Sequence, residues 1–98
     1  MKRTLCLLTI AATLSGCGPR LTGELIAGRT VMITNGGDTV LKVERIIAND
    51  HTNRTECVEK PGVELLPGRS YTTTFFYCEE VREVDVETDQ GWREVGFD

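Results

Sequence analysis

Tyr71 to Cys78 reads YTTTFFYC, and every residue in it is aromatic, threonine or cysteine. These are the types that suit a pleated, half-buried surface, so the stretch predicts a strand. Alternation divides it into two faces. Tyr71, Thr73, Phe75 and Tyr77 share one, while Phe76 and Cys78 share the other. With Cys78 pointing inward, Phe76 belongs to the core and the face of Phe75 and Tyr77 stays partly exposed.

The same signals recur on either side. Residues 29–34, RTVMIT, place Val31 and Ile33 together. Asn35-Gly36-Gly37-Asp38 is a turn cluster, since asparagine and glycine tolerate positive φ. Residues 39–47, TVLKVERII, then resume a β-branched run with Leu41 and Val43 on one face and Lys42 and Glu44 opposite. Residues 29–47 therefore predict a β-hairpin. Residues 48–53 are a polar loop. Residues 54–58 predict a short strand carrying Cys57, and Val63 to Leu66 another, bounded by Pro61-Gly62 and Pro67-Gly68. Val84 and Val86 alternate with Asp85 and Glu87, and Thr88-Asp89-Gln90-Gly91 turns the chain toward Trp92 and Phe97. Segment 82–97 predicts a second hairpin. No helical pattern of useful length interrupts these runs. About seven short strands separated by turns indicate an all-β sandwich or small barrel.

The chain begins differently. Met1-Lys2-Arg3 is basic, residues 4–14 are uncharged and largely apolar, and Leu14-Ser15-Gly16-Cys17 follows. The apolar run is about half of the roughly 20 residues that span a bilayer, and suits a signal-peptide core. This start resembles a bacterial lipoprotein precursor, with residues 14–17 as the lipobox. The resemblance implies cleavage after Gly16 and acylation of Cys17. Gly18 in the next position implies sorting to the outer membrane, with the domain facing the periplasm. On that reading residues 1–16 are a discarded signal peptide, 17–22 a lipidated tether and 23–98 the β-domain. Multiple acyl chains would give stable attachment without a spanning helix.

Removing Lys2 and Arg3 takes the formal net charge from −4 to about −6. An acidic chain lacks the basic footprint of a nucleic-acid binder, and no such partner is expected. Of the four cysteines, Cys6 leaves with the leader and Cys17 carries lipid. Cys57 and Cys78 remain, an even pair in a small exported chain, which reads as a disulfide. The wide spacing and lack of a C-x-x-C pattern disfavour a metal pair or a redox centre. Closing a loop of ~20 residues contributes about 3 kcal/mol in the chain-entropy model.

Leu65-Leu66-Pro67-Gly68-Arg69-Ser70-Tyr71 has the form L-x-P-G-x-x-Y ahead of an alternating strand. It resembles the tyrosine corner between strands E and F of fibronectin type III and related immunoglobulin-like domains. The resemblance implies a buried Leu65 and a structural Tyr71 whose hydroxyl bonds back to nearby backbone. The tryptophan that such domains carry on an early strand is missing, Trp92 lies near the C-terminus, and the domain is short. The fold expected is a small immunoglobulin-like antiparallel β-sandwich with one disulfide.

Little suggests catalysis. His51, the one histidine, sits beside Asp50 in a polar loop without a nucleophile elbow. The carboxylates of residues 79–89 alternate with Val84 and Val86 as a solvated face would. No metal or cofactor is expected. Binding is the expected role, with Phe75, Tyr77 and Trp92 as candidate contact residues, because surface aromatics favour interfaces. Two roles fit: an accessory or assembly subunit docking onto other envelope proteins, or an inhibitor or exclusion lipoprotein directed at lysozyme, phage or conjugation.

Overall fold

The computed structural model describes residues 19–97. Cys17 and the leader lie outside the described residues. Eight strands build two antiparallel sheets: β1 (Leu21–Ala27), β2 (Thr30–Asn35), β3 (Leu41–Ala48), β4 (Val58–Glu59), β5 (Val63–Leu65), β6 (Ser70–Thr74), β7 (Glu83–Thr88) and β8 (Gly91–Gly96). Among the described residues there is no α-helix, and the one helical turn is a 3₁₀ turn at Thr55–Cys57. One sheet has the order β1-β2-β6, the other β4-β3-β7-β8 with β5 also on β3. This matches strands A-B-E facing C′-C-F-G of an immunoglobulin-like sandwich.

β4 and β5 are two pieces of one edge. Ile46 and Ile47 of β3 pair with Glu59 and Val58, and Leu41 to Val43 pair with Leu65 to Val63. Lys60-Pro61-Gly62 breaks the ladder between them, because proline supplies no N–H. Residues 54–58, expected as a strand, are mostly the 3₁₀ turn.

The hairpin expected over residues 29–47 does not form. β2 and β3 belong to opposite sheets, so residues 36–40 cross the sandwich. Long-range bonds decide the path. Asn35 is fully buried. Its Nδ2 donates to Thr39 O and to Leu65 O, both at 2.8 Å, and its Oδ1 accepts from Gly37 N at 2.9 Å. Its backbone N–H donates to Arg69 O at 3.0 Å, and its carbonyl accepts from Gly68 N at 2.8 Å. One residue thus ties β2 to β5 through its side chain and to the turn beyond it through its backbone. A buried amide with every polar group satisfied stabilises a crossing that local turn propensity cannot specify.

The second hairpin forms as expected. β7 and β8 pair from Glu83↔Gly96 to Thr88↔Gly91. Thr88 Oγ1 accepts from Gln90 N and donates to Gly91 O, closing the turn. Gln90 Nε2 then reaches across to Val40 O at 3.0 Å.

The L-x-P-G-x-x-Y corner is present in a different place. Arg69 N–H donates to Leu66 O at 2.9 Å across Pro67-Gly68, with Gly68 at φ +80°. That is a type II turn, whose third position requires positive φ. Leu65 is buried as expected. The turn joins β5 to β6, which is C′ to E, rather than E to F. Pairing of β6 with β2 sets this assignment. Tyr71 is half-buried against the core, and no hydrogen bond from its hydroxyl occurs among the described residues.

Both sheets turn one face inward. Val31 and Ile33 of β2 meet Leu41, Val43 and Ile46 of β3 and Val84 and Val86 of β7. A bulge between Val43 and Arg45 shifts the phase of β3, so Ile46 and Ala48 point inward although Val43 does too. β1 approaches β8 closely: a Cβ on Gly23 would come within 2.8 Å of Val95 Cγ1. β1 begins at Leu21, which is buried, inside the stretch read as a tether.

Candidate docking surface

The run 71–78 is a strand only as far as Thr74. Counting inward positions forward from Tyr71 gives Thr73 and then Phe75, and both are buried. The chain then turns. Cys78 N–H donates to Phe75 O at 3.3 Å, so Phe76 and Tyr77 occupy the tip of a tight turn. They are 75% and 86% exposed. The expected burial is therefore inverted for the two phenylalanines. Phe76 is not core, and Phe75 is not a surface contact, because the turn changes the phase between Phe75 and Cys78.

This tip is held at its base from several directions. Phe75 is anchored in the core. Cys78 is disulfide-bonded to Cys57, the pairing expected from the sequence, and both are buried. The turn between β1 and β2 braces the other side. Phe75 N–H donates to Arg29 O at 2.9 Å, and Val81 N–H to Gly28 O at 2.9 Å. Arg29 Nε donates to Cys78 O at 2.7 Å. Two large aromatic side chains are thus presented to solvent from a backbone with little freedom. An interface built on such a base loses less conformational entropy on binding.

Charged groups surround the base. Asn49 and Asp50 both have positive φ, at 53° and 64°, and His51 N–H donates to Ala48 O. This is a type I′ turn, a conformation asparagine and aspartate tolerate. Asn49 Nδ2 donates to Glu80 O at 2.9 Å, and its Oδ1 accepts from Arg82 N at 2.8 Å. His51 Nε2 donates to Glu79 Oε2 at 2.9 Å, with Arg54 Nη1 3.5 Å from the other oxygen. The His51 hydrogen bond, with help from Arg54, lowers the Glu79 pKa below the ordinary carboxylate value. His51 is thus half-buried and partnered rather than fully exposed. The adjoining shallow cleft is lined by Asn49, His51, Glu79, Arg82, Glu83 and Gly96. None of these can act as a hydroxyl or thiol nucleophile.

Trp92 lies elsewhere. It is half-buried on β8 beside the β7–β8 turn, paired with Glu87, and the Arg45 guanidinium lies 5.5 Å from its ring centroid. Arg45 Nε also donates to Glu87 Oε1 at 2.6 Å. The structure brings Tyr77 together with Phe76 at one end of the sandwich and leaves Trp92 toward the other. Nor are the carboxylates of β7 uniformly solvated: Asp85, between Ile47 and Glu94, is buried. The Glu83 pKa is raised, chiefly by its hydrogen bond to Glu94 and by desolvation.

No known protein family, no curated protein and no solved structure matches this chain. Among the described residues no group of three or more His, Cys, Asp or Glu is arranged to hold a metal ion.

Proposed function

We propose that this chain is a lipid-anchored cell-envelope protein whose sandwich docks onto other envelope proteins through the Phe76–Tyr77 turn. The carrying observation is that two large aromatics, Phe76 and Tyr77, are 75% and 86% exposed on a disulfide-braced turn. Exposing them costs favourable burial, and a contact surface accounts for that cost. Aromatic anchors on a rigid base, with His51, Arg54, Glu79 and Glu80 close to that base, have the form of an interface centre with a polar rim. The lipobox resemblance at Leu14-Ser15-Gly16-Cys17 supports the anchor, and the acidic charge favours partners with a basic rim.

Two experiments test it. Intact mass of the membrane-extracted protein should show loss of residues 1–16 and added acyl mass on Cys17. A soluble, unacylated chain removes the anchor. Mild-detergent co-purification should recover envelope proteins with the unaltered chain and lose them with Phe76→Ala/Tyr77→Ala. Equal recovery with that variant removes the docking role.

A further inference from the structure

Four strand edges are unpaired among the described strands, and three are guarded. β1 carries Glu24 and a bulge between Leu25 and Ala27. The β4–β5 edge carries Glu59, Lys60 and Glu64 and is broken at Pro61. β8 carries Arg93 and Glu94. Charges, bulges and proline are the usual means of preventing edge-to-edge pairing. β6, Ser70-Tyr71-Thr72-Thr73-Thr74, has none of them.

The phase of β6 is fixed by its flanking bonds. Phe75 N–H donates to Arg29 O, and Asn35 N–H to Arg69 O. These bracket the β2–β6 ladder, so residues 69, 71, 73 and 75 direct their backbone groups at β2. Ser70, Thr72 and Thr74 direct theirs at the open edge. Their side chains lie on the outer face, where Thr74 Oγ1 meets Thr30 Oγ1 at 2.9 Å and Ser70 Oγ meets Thr34 Oγ1 at 2.7 Å.

We infer that β6 pairs antiparallel with β6 of a second copy about a two-fold axis at Thr72. Two observations select a second copy. The outward residues are symmetric about Thr72, so Ser70 pairs with Thr74 of the second copy and Thr72 with Thr72, giving about six main-chain hydrogen bonds. The axis places the Leu66-Pro67-Gly68 turn of one copy against the Phe76–Tyr77 turn of the other. Leu66 is itself 55% exposed, so this pairs apolar surface with apolar surface. The interface is isologous and closes at two copies, leaving no growing edge. It rests on the proposal that the Phe76–Tyr77 turn is a contact surface, and names the first partner it meets.

The test uses the full-length protein purified in detergent, followed by sedimentation over a concentration series. The unaltered chain should be a dimer. Thr72→Pro removes an outward N–H that β2 does not use and should give a monomer, with the fold checked by circular dichroism. Thr72→Lys places a like charge at the axis and should weaken the dimer more than tenfold. Thr72→Cys should cross-link two copies on oxidation in membranes, since paired Cα atoms about 5.5 Å apart suit a disulfide. Glu64→Cys, on the guarded edge, should not cross-link. A monomeric unaltered chain overturns the inference, as does a dimer that survives both Thr72→Pro and Thr72→Lys. A strictly monomeric chain that still recovers envelope proteins through Phe76–Tyr77 removes the dimer and keeps the proposed function.

Discussion

The two ends of the sandwich are each organised by an asparagine, and they differ in what surrounds it. At one end Asn35 is buried, and its polar atoms bind Thr39, Leu65 and Gly37. That end closes inward. At the other end Asn49 is half-exposed, and its side chain holds the backbone of Glu80 and Arg82. There the disulfide and Arg29 fix a turn whose aromatics face solvent. The same device, an amide bridging distant backbone, closes a core in one place and stiffens a projecting surface in the other. Rigidity at the open end holds Phe76 and Tyr77 out in solvent.

Substitutions can break this comparison. The largest effect should come from Cys57→Ser/Cys78→Ser, which releases the base of the open end. The chain-entropy model predicts a loss of about 3 kcal/mol, measured by urea unfolding under oxidising conditions. Asn35→Ala should follow at roughly 2–3 kcal/mol, because it strands buried carbonyls. Asn49→Ala should cost about 1–2 kcal/mol, from lost bonds and from the positive φ at that position. In the same urea series, an Asn49→Ala loss exceeding that of Asn35→Ala would invert the comparison.

Acid should sharpen it further. The folded pKa of Glu79 is depressed, so its contribution is present above the ordinary value of 4.5 and lost as pH falls through the folded value. Glu79→Gln should therefore flatten the acid limb of thermal melts below about pH 4.5 and leave the neutral limb in place. The raised Glu83 pKa works in the opposite sense, since that pair is relieved as pH falls. Glu94→Gln should remove that relief. The smallest effect on stability should come from Phe76→Ala/Tyr77→Ala, within about 0.5 kcal/mol, as for exposed sites.

Much of the architecture was legible because it rests on local pattern. Val84 and Val86 alternate through β7, and Thr88 to Gly91 supplies a turn of the right length, so the second hairpin could be read directly. The sandwich class and the disulfide were legible too. The crossing at residues 36–40 was not. Asn35-Gly36-Gly37-Asp38 permits a hairpin turn, and the bonds that forbid it come from Leu65 and Arg69, far along the chain. The faces of residues 75–78 do not follow from Cys78, because a turn separates Cys78 from the strand. Counted forward from Tyr71, the alternation holds through Phe76, and the turn then exposes Tyr77 and buries Cys78. The bulge in β3 and the burial of Asp85 on a central strand left no mark in the sequence. For the proposed contact surface, Tyr77 was legible as an exposed aromatic, and its neighbour Phe76 was hidden by the same turn.

The central claim is that the Phe76–Tyr77 turn is the centre of the contact surface and the Asp38 loop beside Asn35 lies outside it. A photo-crosslinking residue placed at Tyr77, and separately at Asp38 beside Asn35, tests it in living cells. Adducts from position 77 and none from position 38 are the predicted result. Adducts from position 38 alone, or equally from both, would contradict it.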